Sequence, residues 1–129
     1  MTLKKSKLAH AVILSSLLVL GMPVRSQEGP VSPRDIKLTW IDKTVVGTLA
    51  AGPSAGKSIE MAMKSDGTVA INGAVTDVGT WRLSDQGYCA TWKKIRAGQE
   101  RCFTVIRKGN YQEVKNLDGS LSATITEIR

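Results

Sequence analysis

Histidine is almost missing from this chain. The single one, His10, sits in an apolar stretch near the N-terminus. If that stretch is removed as a leader, the rest has no imidazole, which excludes the common Ser–His–acid nucleophile and every histidine metal site. Cysteine is nearly as scarce: Cys89 and Cys102 are the only two, too few to complete a structural zinc site. Long apolar runs are also absent. The longest, about Leu8 to Leu20, falls short of the roughly 20 residues that a membrane-spanning helix requires. Aromatic residues make up 5% of the chain, with one phenylalanine, two tyrosines and three tryptophans. Each large ring therefore carries much of any core.

The first residues resemble an export signal. Lys4, Lys5 and Lys7 precede the apolar run, Gly21 and Pro23 break it, and Val24-Arg25-Ser26 supplies a cleavage region. The expectation is a signal peptide over 1–26, a flexible lead-in over 27–32 and a single β domain over 33–129, with no membrane span after cleavage. Four of the 18 basic residues (Lys4, Lys5, Lys7 and Arg25) leave with the leader, so 14 face 11 acidic ones and the net charge falls from +7 to +3. The high isoelectric point thus owes much to targeting, and nucleic acid is not an expected partner. Export places the protein in the periplasm or outside the cell. In that oxidising setting Cys89 and Cys102 are expected to form a disulfide, a free thiol pair or a two-ligand metal site being the alternatives. Closing a loop of about 14 residues contributes on the order of 3 kcal/mol.

Along the domain, Ser32 fits a helix N-cap, with Pro33 at the first helical position and Asp35 in the first turn. Ile36 and Trp40 share a face, so the spacing predicts one short helix over about 33–42. From Thr44 onward the period changes to alternation. Runs near 44–49, 59–63, 69–71, 78–83, 88–94, 101–107, 111–114 and 121–125 are separated by glycine-bearing turns. Hairpin-length connections make sequential strands antiparallel neighbours. The predicted class is all-β: an up-and-down meander closing into a small barrel or half-barrel, with the helix over one mouth. A two-layer sandwich is the alternative.

The densest stretch is 79–105. Pairing Cys89 with Cys102 puts Tyr88, Ala90 and Trp92 on the face opposite the sulfurs, with Phe103 and Val105, and lets Trp81 join them. Trp40, Trp81, Tyr88, Trp92 and Phe103 are thus the expected core aromatics, and the bulk of Trp40, Trp81, Trp92, Phe103 and the methionines predicts a filled interior. Lys93, Lys94, Arg96 and Arg101 gather at one end of this hairpin as a candidate partner-binding patch. Ala51-Gly-Pro-Ser-Ala-Gly-Lys-Ser58 mimics a phosphate loop, but the alternating Ile59, Met61 and Met63 after it predict a strand where that motif needs a helix. It is expected to be a flexible loop. The acids Asp66, Asp77, Asp85, Glu100, Glu113, Asp118 and Glu127 show no paired spacing, and several lie in turns. No catalytic, cofactor-binding or metal residue is assigned.

The Gly79-Thr80-Trp81 strand, the Cys89-x-x-Trp92 strand, the Cys102-Phe103 strand and the closing Asp118-Gly119 together resemble a family of small exported bacterial domains of unknown function. Asp42 stands where that pattern usually has glycine. The resemblance covers about 32–119, implies a periplasmic or secreted β domain, and transfers no catalytic residues. The functional expectation is a non-enzymatic module, protein-binding or inhibitor-like, that meets an envelope protein or an anionic envelope component. A small-molecule or lipid carrier using the barrel interior is the alternative.

Overall fold

The computed structural model describes residues 28–129; the signal peptide expected over 1–26 lies outside them. After the two-residue strand β1 (Gly29–Pro30) and the helix α1 (Pro33–Thr39) come eight strands. They are β2 (Thr44–Leu49), β3 (Ser58–Met63), β4 (Thr68–Gly73), β5 (Asp77–Leu83), β6 (Gly87–Trp92), β7 (Arg101–Lys108), β8 (Tyr111–Asn116) and β9 (Leu121–Ile128). Each pairs antiparallel with the next, and β9 returns to β2, so the meander closes into an eight-stranded barrel. At the seam Thr44 and Arg129 exchange both backbone hydrogen bonds, at 2.7 and 2.9 Å. Closure leaves every barrel strand paired on both sides and gives the amphipathic sheet an inside.

Alternation decides which side chains fill that inside. Ile59, Met61 and Met63 from β3, Val69 and Ile71 from β4, and Tyr88, Ala90 and Trp92 from β6 are buried, as are Phe103, Val105, Val114, Ala123 and Ile125. The β2–β9 ladder shifts register between Val46 and Gly47. A Cβ at Gly47 would run into the Thr124 carbonyl, so the residue without one sits where the wall bends.

The helix closes one end. Ser32 Oγ accepts from the Asp35 amide at 3.1 Å, as its capping role predicts. Ile36 and Trp40 are fully buried, and the indole Nε1 of Trp40 donates to Gln112 Oε1 at 3.1 Å. The helix is shorter than expected, ending at Thr39 instead of near 42. Its Thr39 hydroxyl turns back onto the Asp35 carbonyl at 2.7 Å, and Asp42 adopts a left-handed φ of 64°. Aspartate tolerates that conformation better than most residues, and here its Oδ1 accepts from the Ser65 amide at 2.9 Å, tying the helix exit to the β3–β4 turn.

The lead-in expected to be flexible is instead part of the wall. Gly29 and Pro30 pair with Arg107 and Ile106 of β7, Val31 donates to the Val105 carbonyl at 2.8 Å, and its side chain is buried. The reason is geometric: β6 pairs with β7 only from Thr104 back to Arg101, and the chain entering the domain fills the rest of that flank.

Candidate functional site

The end away from α1 carries the loops β2–β3, β4–β5, β6–β7 and β8–β9, and a cavity of ≈ 440 Å³ runs from it into the barrel. The interior is therefore not filled as the aromatic content suggests. At liquid density the space would hold on the order of fifteen waters. Its wall is mostly apolar: Ile59, Met61, Ile71, Ala90, Val114 and Ile125 contribute, with Trp92 toward the mouth and Tyr88 and Phe103 deeper in. Tyr88 stacks at 5.6 Å on Trp40 and at 5.2 Å on Phe103, so a chain of tilted rings separates the cavity from the helix plug. Alanine at 90 and 123, among bulky neighbours on the inner face, is what leaves the room.

Polar groups on this wall are few. Tyr88 is a buried residue, and burial pushes its phenol above the ordinary value. Asn116, Ser54 and Ser122 stand nearer the mouth. The Asn116 amide nitrogen donates to Ser120 Oγ at 3.0 Å, leaving its Oδ1 without a partner. No carboxylate lines the cavity among the described residues, and Arg96 is its one charged side chain.

The loop carrying Arg96 is held unusually. Arg96 and Ala97 have left-handed φ values of 57° and 54°, and Gly98 follows at 76°. A left-handed non-glycine residue costs roughly 1–2 kcal/mol, so something must hold the turn. That anchor is Asp77, the one buried acid among the described residues. Its Oδ2 accepts from the Lys94 and Ile95 amides at 2.8 and 2.9 Å, and its Oδ1 from the Val78 amide at 2.8 Å. Burial raises the Asp77 pKa, but the amides of Ile95, Lys94 and Val78 outweigh it and hold the carboxyl below its ordinary value. Sequence reasoning missed this residue because it looks like one more turn aspartate.

The structure places the basic side chains predicted from sequence on this same rim. Lys93, Lys94, Arg96 and Arg101 are all exposed, and none has an acid within ion-pair distance among the described residues. The phosphate-loop mimic is the β2–β3 loop. Ala51, Gly52, Pro53 and Ser54 edge the cavity, and backbone bonds from Gly56 to Leu49 and from Lys57 to Ser54 fold the loop on itself. It is followed by a strand, so it lacks the helix N-terminus a phosphate loop needs.

Of the core aromatics, Trp40, Tyr88, Trp92 and Phe103 are buried. Trp81 is only half-buried, because it lies past the end of β4 and donates its indole NH to the Lys64 carbonyl at 2.7 Å. Cys89 and Cys102 face each other across β6 and β7 and are joined by a disulfide on the outer face. Over it lies a two-point pair, Arg82 Nε and Nη2 to Glu100, each at 2.9 Å, which holds the Glu100 carboxyl below its ordinary value. Asp66 and Asp118 accept from the amide and hydroxyl of Thr68 and Ser120 in their turns. In comparisons with known proteins, no family model, no curated protein and no solved structure matches this chain.

Proposed function

We propose that this protein is a non-catalytic exported carrier that takes one small, largely apolar molecule into the barrel. The observation that carries the reading is the ≈ 440 Å³ cavity, apolar along its wall and reaching the surface between four loops. Ligand sites have this size and this mix of apolar wall with a few polar groups, and eight-stranded barrels have room for one small ligand. The buried Asn116 Oδ1 at the cavity wall supports it further, since a buried acceptor without a partner among the described residues costs stability unless something else satisfies it. A neutral, environment-sensitive dye such as phenylnaphthylamine tests the idea. It should bind saturably with enhanced emission, and Ala90→Trp, which fills the cavity, should abolish that signal while near-ultraviolet circular dichroism stays native. Absence of saturable binding, or binding untouched by Ala90→Trp, would overturn the proposal.

A second reading rests on the rim. Four cations without acidic partners around one end favour contact with an envelope protein or an anionic envelope component. Reversing Lys93, Lys94, Arg96 and Arg101 to glutamate should then weaken capture of that partner by the oxidised domain; unchanged capture removes the patch from the account.

A further inference from the structure

The charge pattern of the cavity narrows the ligand class, on the assumption that the cavity is a binding site. We propose that the ligand is an anionic amphiphile whose apolar tail lies among Ile71, Ala90, Phe103 and Ile125 while its headgroup, a carboxylate or phosphate ester, is gripped at the mouth by Arg96. Three observations converge on this assignment. Arg96 is the single charged residue on the cavity wall among the described residues, and no carboxylate shares that wall. It also has no ion-pair partner among them: Glu100, the nearest acid in the loop, is committed to Arg82, and both oxygens of Asp77 are taken by backbone amides. Finally, its backbone is held in place. The left-handed Arg96-Ala97-Gly98 turn is pinned through Lys94 and Ile95 to Asp77, and strain of this kind persists where surrounding structure over-determines it.

The physics favours an anion with a tail over either part alone. An apolar channel strengthens the field of a cation at its edge, because few dipoles on the wall compete with it. A guanidinium also presents a planar fork that matches carboxylate and phosphate oxygens. Lys93 and Lys94 lie beside it on the surface and add attraction at longer range without lining the cavity. A cationic amphiphile would meet Arg96 with like charge, and a neutral one would leave it unpaired.

Calorimetric titration of the oxidised protein, below the micelle concentration, distinguishes the outcomes with dodecanoate, dodecyl phosphate, dodecanol and dodecyltrimethylammonium. Dodecanoate or dodecyl phosphate should bind about tenfold or more tightly than dodecanol, as a charge-assisted hydrogen bond predicts. The ammonium should bind least. Whichever of the two anions binds more tightly identifies the head. Arg96→Gln should erase the anion preference while leaving dodecanol affinity unchanged, and Lys94→Gln should leave the preference in place. Equal binding of anion and alcohol, or a preference that survives Arg96→Gln, overturns the assignment while leaving the cavity proposal standing. Equal erosion by Lys94→Gln also overturns it, since the surface field would then be acting instead of Arg96. Failure of all four amphiphiles to bind removes both proposals.

Discussion

At the helix end of the barrel, Trp40 is fully buried and its indole NH is satisfied by Gln112, while Ile36 fills the space beside it. At the loop end, Trp92 stands beside a cavity, Arg96 has no acidic partner among the described residues, and the backbone runs through consecutive left-handed residues. The same eight strands supply both ends, so the difference comes from what each end receives. One receives a capped helix that brings apolar surface to the strand ends. The other receives only turns, whose polar backbones cannot plug an apolar mouth. Packing is thereby concentrated at one end, and an open cavity is left at the other.

The sharpest way to break this comparison is Trp40→Ala, which should cost about 3–5 kcal/mol by loss of burial and creation of a void. Urea unfolding would measure it, and a cost near zero would mean the plug does not carry the fold. Next in size, replacing Cys89 and Cys102 together by serine should cost on the order of 3 kcal/mol, read as a lowered denaturation midpoint that reducing agent no longer shifts.

At the mouth, Asp77→Asn sets an amide NH₂ against the Lys94 and Ile95 amides. Hydrogen exchange at those two amides should accelerate sharply while amides in β2 and β9 keep their protection. Because the folded Asp77 pKa lies below its ordinary 3.8, its stabilisation is complete above that value and is lost as pH falls through the depressed one. Wild-type protection at the two amides should therefore persist from neutral pH down past 3.8 and then decline. The asparagine variant should lack that acid step. Smallest of all, Lys93→Glu with Lys94→Glu should change unfolding free energy by no more than about 0.5 kcal/mol, as exposed positions do. A larger loss would show that the rim supports the fold.

Much of this architecture was legible in the chain. Period-two alternation in Ile59-Met61-Met63 and Val69-Ile71, punctuated by Asp66-Gly67 and Asp118-Gly119, leaves little freedom about strand order. Cys89 opposite Cys102 then sets the register of the central hairpin. The errors have specific causes. Gly29 and Pro30 look like punctuation, yet both lie against an otherwise uncovered stretch of β7, where a proline without an NH is tolerated. The helix looked longer because Trp40 and Ile41 extend its apolar face; the halt comes with Asp42, through a left-handed backbone and a bond to Ser65 that a propensity does not record.

The cavity was hidden for a different reason. Its volume is a small difference between the space a closed barrel encloses and the side chains that enter it. Trp40, Trp81, Trp92, Phe103 and the methionines suggested fullness, but Trp40 is spent on the plug and Trp81 on the β3–β4 turn. Arg96 was visible only as one of four clustered cations; that it alone edges the cavity depends on the turn geometry Asp77 enforces.

The disulfide has a meaning beyond its contribution to stability. It sits on the seam where β6 and β7 share only four residue pairs, Gly87 to Ala90 against Thr104 to Arg101. A closed barrel offers no strand edge to another molecule, and opening this seam would create two at once. With the bond reduced, those four backbone pairs alone would hold the seam, and any opening there would bare two strand edges able to pair with another chain.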